Sequence, residues 1–190
     1  APDYGSVAGY QRDSSPGGAL FSAVLLENMF TSSGATLHRA RGCKQSVELT
    51  LLVRVGSERI NKAGTLAAVA AEISEVLPAV EVRDQLLVAR QRLDSAALIA
   101  INGGVRYLVL GGPLVVPSSM TVDDWAGAFV AHLFQRDENI VSHGSGLVTG
   151  TGPLQAVLEL KQLLRKRGRF LKTGDLLALG SIGFAVEPDT

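Results

Sequence analysis

Ser46 to Val55 carries the clearest period of two in the chain. Val47, Leu49, Leu51, Val53 and Val55 fall on one face, and Ser46, Glu48, Thr50 and Arg54 on the other, the pattern of a half-buried strand. Leu52 interrupts the polar face, so that side too is expected to be partly covered. Ala79 to Arg83 repeats the alternation, with Val80 and Val82 opposite Glu81 and Arg83. Val105 to Leu110 predicts another strand, ended by Gly111-Gly112-Pro113, and Leu176 to Leu179 a last one after a turn at Lys172-Thr173-Gly174-Asp175. Gly18 to Leu26 is short and apolar, which fits either a strand or a buried turn of helix.

Helical signals are fewer. Thr65 offers an N-cap for a helix through Leu66, Val69, Ile73 and Val76, closed by Pro78, because a residue before proline leaves helical space. Thr121-Val122-Asp123-Asp124 predicts a second helix start, burying Val122, Trp125, Phe129 and Leu133, with His132 a partly buried spacer. Asp137-Glu138-Asn139 then turns the chain into Ile140-Val141-Ser142-His143, and Gly144-Ser145-Gly146 permits a bulge before Leu147-Val148. Pro153 suits the first position of a long helix ending at Gly168, with Arg165-Lys166-Arg167 at its C-terminal end. Residues 1–17, polar and rich in Gly, Ser and Pro, read as a loop-rich lead-in, and residues 18–190 as a single domain. Strands and helices alternate irregularly and no repeat period appears, so the expected class is α+β and strand-rich.

With 190 residues, 46% of them hydrophobic, the chain can bury roughly 70% of its unfolded surface without staples. Eighteen basic side chains balance eighteen acidic ones, which argues against a nucleic-acid-binding surface. The single cysteine, Cys43, excludes an intrachain disulfide and a Cys-rich zinc site. No apolar run reaches membrane-spanning length, so no membrane partner is expected. Ala1 in place of an initiating Met points to a removed leader, a longer N-terminal region or a tag, and Val186 to Thr190 reads as a loop leading onward.

Glu48 and Glu81 stand out as candidate chemistry. Each is an acid on an aliphatic strand, where charge is costly without a partner. Two such carboxylates facing one cleft suit Mg²⁺ or Mn²⁺; alternatively each sits on a solvated face. His38, His132 and His143 show no zinc-ligand spacing, although His143 is placed to line a pocket. The glycines at 144–146 and 149–152 lack the lysine and spacing of a phosphate loop, and nothing forms a hydrolase triad or nucleophile elbow.

Several strings, in order, resemble the fumarylacetoacetate hydrolase superfamily, in its 2-keto-4-pentenoate hydratase and oxalocrotonate decarboxylase branch. They are Gly18-Ala19-Leu20-Phe21, Val47-Glu48-Leu49-Thr50-Leu51-Leu52, Val76-Leu77-Pro78-Ala79-Val80-Glu81-Val82, Gly152-Pro153-Leu154-Gln155-Ala156-Val157 and, most closely, Leu171 to Ser181. The resemblance implies a distorted β-barrel-like core with flanking helices, like that superfamily's C-terminal domain. It also implies a homodimer or larger homo-oligomer, a cytoplasmic location (an exported mature chain being the alternative that Ala1 allows), and a small 2-oxo acid bound through Mg²⁺ or Mn²⁺. The ion would act as a Lewis acid that stabilises an enolate, with a lysine and an acid handling protons.

Carried over by residue, the resemblance assigns Glu48 and Glu81 to the metal and Ser181 to the substrate carboxylate. Ser46 stands where a further metal carboxylate is expected, two residues before Glu48 on one strand face. Gln11, after Gly9-Tyr10, stands where the lysine is expected, and an amide cannot serve as a base. Ser14 or Ser15 before Pro16 takes the place of an Asp, and Asn102 is followed by Gly103, Gly104 and Val105 rather than by hydroxyl residues. Asp84 is a possible substitute ligand. The resemblance thus leaves two functions: a lyase of the 2-oxo acid hydratase or decarboxylase type with a degenerate site, water replacing the third acid, or a non-catalytic scaffold or binding protein that kept the fold. An acylpyruvate-type hydrolase is a distant third.

Overall fold

The computed structural model describes residues 5–15, 17–38, 44–85, 94–114, 129–135, 139–145 and 152–188. Within them the strands are β1 (Val7–Ser14), β2 (Leu20–Leu26), β3 (Phe30–Ser32), β4 (Lys44–Val55), β5 (Ile73–Gln85), β6 (Val105–Leu110), β7 (Val130–Phe134), β8 (Ile140–Ser145) and β9 (Leu176–Val186). The α-helices are α1 (Leu66–Ala70), α2 (Ser95–Ala100) and α3 (Pro153–Lys166). Seven strands form one sheet in the order β2-β1-β9-β4-β5-β6-β3, and β7 pairs with β8 alone. This is the strand-rich architecture with few helices that the pattern predicts. None of the described helices is long and apolar enough to cross a membrane.

The spine of the sheet is the antiparallel β4–β5 ladder, paired from Lys44–Gln85 to Val55–Ile73. Its alternation feeds two cores. Leu49, Leu51, Val53 and Val55 lie on one face with Val76, Leu177 and Leu179, packed against Leu154, Val157, Leu160 and Leu164 of α3. Leu52 lies on the other face with Leu77, Ala79, Leu108 and Ala178. Both faces of β4 are therefore covered, as Leu52 suggested.

Glu48 and Glu81 share the second face, and so does Gln11 of β1. In a flat sheet β1 and β5 would stand about 14 Å apart, three strand spacings of about 4.8 Å. Gln11 nevertheless donates a 3.0 Å hydrogen bond to Glu81, so the sheet must curl, with this face inward. The curl centres on β9. Its pairing with β4 shifts register between Val47 and Leu49 and again between Thr50 and Leu52, and such bulges bend a strand. Gly180 takes φ +109° beside one of them, a conformation that side-chain-bearing residues avoid.

Four expectations are corrected. The lead-in over 1–17 contains β1, an interior strand between β2 and β9. The helix expected from Leu66 to Val76 stops at Ala70, and β5 begins at Ile73; pairing with β4 outweighs the helical spacing. Pro78 does not end an element. Its carbonyl, accepting from Gly111 N, faces the β6 side, and the β5–β6 ladder begins only at Ala79, so the missing N–H leaves no rung unmade. Residues 121–128 lie outside the described part, but Val130–Phe134 is a strand and not the end of a helix. Ala131 and Leu133 turn inward while Val130, His132 and Phe134 are exposed. The β7–β8 irregularity falls between Leu133 and Phe134, and the bulge expected at Gly144-Ser145-Gly146 runs into residues outside the described part.

Gly18 to Leu26 resolves into β2, β6 matches the expected Val105–Leu110, and α3 and the Lys172–Asp175 turn stand where expected. The final strand extends to Val186. Cys43, Pro16 and the glycine run at 146 and 149–151 lie outside the described residues.

Candidate functional site

Glu48 and Glu81 are Cα partners on β4 and β5. Directly opposite residues in an antiparallel pair point to the same face, so the two carboxylates meet. Beyond them lies the next pair on that face, Ser46 and Arg83. Ser181 of β9 completes the group by donating its hydroxyl to Glu48 Oε2. Two of the acids expected for the metal, Glu48 and Glu81, and the expected substrate contact, Ser181, are therefore neighbours.

Arg83 is the residue at the centre. Its Nε lies 2.7 Å from Glu81 Oε1 and 3.5 Å from Glu48 Oε1, and its Nη1 lies 2.6 Å from Asp13 Oδ2. Nη1 also donates to the Gly103 carbonyl at 3.4 Å. One guanidinium thus faces three carboxylates from three strands. Glu81 has no exposed surface, and Gln11 Nε2 donates to both of its oxygens, at 3.0 and 3.2 Å. Burial pushes the Glu81 carboxyl up to about 7, while Arg83 and the Gln11 hydrogen bond pull it down and Glu48 and Asp13 add repulsion. For Arg83 burial works against the charge, but Glu81, Asp13 and Glu48 outweigh it and hold its pKa above the ordinary value. Arg83 is a permanent cation.

Two buried atoms are left without an aligned hydrogen-bond partner among the described residues, Gln11 Oε1 and Arg83 Nε. Arg83 Nε makes its ion contact with Glu81 out of line. Gln11 Oε1 is an unmet acceptor, an arrangement that costs about 1–3 kcal/mol.

A cavity of about 300 Å³ opens over this group, lined by Ser46, Glu48, Arg83, Lys44, Gly103, Gly104 and the end of β9. That volume is at the small end of ligand pockets. Lys44 at its rim pairs with Glu187. Arg83 lines the cavity and covers Glu81.

The oxygen donors have the chemistry a hard divalent ion requires: Glu48, Glu81 and the unmet Gln11 Oε1. Among the described residues no three acid, His or Cys side chains converge closely enough to hold an ion alone, so water would have to complete the shell.

Asp84 does not serve as the substitute ligand. It points to the other face, where Gln45 Nε2 donates to it at 2.8 Å and Arg106 lies 3.7 Å away. Asp13 is the acid that joins instead. Reading β1 as a strand would have found it, because Gly9, Gln11 and Asp13 alternate onto the face of Glu81. Asn102 is structural: its amide bridges the backbone N–H and carbonyl of Val24, at 2.7 and 2.8 Å. His132 and His143 stand opposite each other on the exposed face of the β7–β8 hairpin, ring centroids 6.1 Å apart; neither is a helix spacer, and neither is among the residues that line this cavity.

No protein-family sequence model matches the chain. It is 24% identical over 160 residues to 2-keto-4-pentenoate hydratase 2 of Dechloromonas aromatica (strain RCB), a stretch that covers 84% of this chain and 59% of the hydratase. A second hydratase of that organism matches equally. The chain therefore spans about three fifths of the length of these relatives. Among solved structures it resembles 4-oxalocrotonate decarboxylase from Pseudomonas putida G7 complexed with magnesium and adipate, with a TM-score of 0.76, 20% identity, and coverage of 97% of this chain and 71% of the decarboxylase. The same enzyme is also known with calcium and acetate. Maleylpyruvate hydrolase from Sphingobium sp. SYK-6, in complex with manganese(II) and pyruvate, matches with a TM-score of 0.56 and 12% identity over 94% of this chain and 61% of the hydrolase. These neighbours hold divalent ions of the kind expected from the paired acids. The chain has the fumarylacetoacetate hydrolase fold, and its sequence relatives put the resemblance in the 2-keto-4-pentenoate hydratase and oxalocrotonate decarboxylase branch of that superfamily.

Proposed function

We propose that the chain binds a small 2-oxo acid through a divalent ion, Mg²⁺ or Mn²⁺, in a site that has lost part of the proton-transfer machinery of its relatives. The carrying observation is the pairing of Glu48 with Glu81 across β4 and β5, with Ser181 on Glu48, beside a cavity small enough for such an acid. The magnesium and the manganese-pyruvate bound to the structural neighbours support the same ligand class. When bound, the ion would supply Lewis-acid stabilisation of an enolate. Glu48 and Glu81 would hold it, and Ser181, whose one hydroxyl proton goes to Glu48, would turn that proton to the acid's carboxylate when the acid binds. Gln11 positions Glu81 but has no proton to exchange near neutral pH, so hydratase or decarboxylase turnover should be slow, since general acid–base help contributes about 10²–10⁴-fold.

The second reading is a scaffold or binding protein that kept the fold and dispensed with the metal. Arg83 favours it, because it already gives Glu48 and Glu81 a cationic partner.

Calorimetric titration with Mg²⁺ and Mn²⁺, with and without oxalate as a chelating mimic, separates the two. Oxalate-enhanced binding in the native chain, lost in Glu48→Ala, is the expected result. No binding up to millimolar metal would overturn the metal reading and leave the scaffold.

A further inference from the structure

We propose that Arg83 is a built-in competitor of the divalent ion: its guanidinium occupies the carboxylates that would hold the metal, and it must withdraw before an ion can load. This rests on the reading that Glu48 and Glu81 are the ion's ligands. The geometry is specific to this position. Arg83 lies two residues beyond Glu81 on β5, so both side chains emerge on the inner face. Its pair partner is Ser46, a side chain small enough to let the guanidinium fold back over the acids. The contacts then fall on Glu81 at 2.7 Å, Glu48 at 3.5 Å and Asp13 at 2.6 Å.

The aligned hydrogen bonds of Arg83 all lie on one side of the guanidinium. Asp13 and the Gly103 carbonyl both engage Nη1, whereas Nε, nearest to the two glutamates, has no aligned hydrogen bond. The contact with the candidate ligands is therefore ionic, with no aligned hydrogen bond fixing the guanidinium on them. Arg83 also borders the cavity, which gives it a place to withdraw to while Nη1 keeps Asp13. An ion entering between Glu48 and Glu81 meets a like charge until that happens, so loading is coupled to a side-chain movement, and the coupling lowers the apparent affinity.

The test compares Mn²⁺ binding to the native chain and to Arg83→Gln by calorimetry, after circular dichroism has shown that both are folded. Arg83→Gln should bind Mn²⁺ more tightly by on the order of tenfold or more, the usual size of a coupling between competing ligands. Binding by Arg83→Gln alone, with none by the native chain, would mean that Arg83 replaces the ion outright and never withdraws for it, which overturns the proposal. Equal affinities in the two proteins would overturn it and leave the metal reading intact. No binding by either overturns both.

Should Arg83→Gln fail to fold, the native chain still decides. The ¹⁵N–¹H signal of Arg83 Nε, assigned by through-bond correlation, should move on saturation with Mg²⁺. A signal that stays in place while Mg²⁺ binds would overturn the proposal.

Discussion

Around Arg83 one permanent positive charge faces Asp13, Glu48 and Glu81. Three acids and one base in a curled sheet leave an excess of negative charge, and the burial of Glu81 makes that excess costly. The pairing is specific in direction: Gln11 fixes both oxygens of Glu81, so the carboxylate cannot turn to follow Arg83. Away from this group, Asp175 shows how burial acts on a single acid. Burial raises its pKa, and the hydrogen bond from Lys172 N and the Lys172 charge pull the other way. An acid whose folded-state pKa lies above its unfolded value binds more protons when folded. Its ionisation therefore removes stability as pH rises from the unfolded value through the folded one, and the cost persists above that window. Asp175→Asn keeps an oxygen for Lys172 N and removes the charge. Urea unfolding should show the variant gaining on the native chain as pH rises from about 4 to neutrality, and a variant that instead loses ground would mean that the Lys172 contacts dominate.

Elements follow neighbours more than local spacing. Leu66, Val69, Ile73 and Val76 are spaced for a helix, yet only Leu66–Ala70 is one. Ile73 and Val76 are β-branched, and the β4 edge offers them partners in Val55 and Val53. Phe129 and Leu133 are also spaced for a helix, but the exposed-buried alternation across Val130–Phe134 is that of a strand. A polar, glycine-containing composition hid β1, whose close approach to β9 depends on one of those glycines. A Cβ on Gly9 would sit 1.9 Å from the Leu176 carbonyl oxygen, backbone that cannot swing aside. Gly9→Ala should therefore destabilise the fold by about 3 kcal/mol, read as a lowered urea midpoint, and should weaken the proposed binding of metal and oxalate by displacing Gln11 and Asp13. A variant as stable as the native chain would show that the β1–β9 spacing can relax.

At the scale of the molecule, the site exists because the sheet curls. β1 and β5 are separated by β9 and β4, and the bulged pairing of β9 carries the bend that lets Gln11 and Asp13 reach Glu81 and Arg83. A ligand that bridges strands in this way stabilises the whole fold, because only the curled state assembles it. If the proposed ion and acid bind, Mn²⁺ with oxalate should raise the unfolding free energy by about 2.7 kcal/mol at roughly a hundredfold above the dissociation constant. The thermal midpoint of the native chain should rise accordingly and that of Glu48→Ala should not. Equal shifts in both proteins would place the ligand elsewhere.

By itself the order of residues determined β4, whose two faces differ in kind, β6, an apolar run stopped by Gly111-Gly112-Pro113, and the long helix α3, because there the apolar pattern, the caps and the turns agree. It also singled out Glu48 and Glu81, since an acid among aliphatic strand residues is visible without a structure, whereas Ser181 came only through the resemblance to the superfamily. Only the tertiary structure decided that β1 is an interior strand, that β5 runs through Pro78, and that Asp13 joins the site while Asp84 leaves it. It alone showed Arg83 seated among the carboxylates. The reason is physical: strand pairing, sheet curl and charge contacts join residues such as Gln11 and Glu81 that lie far apart along the chain, and no local period encodes which distant edge a strand will meet.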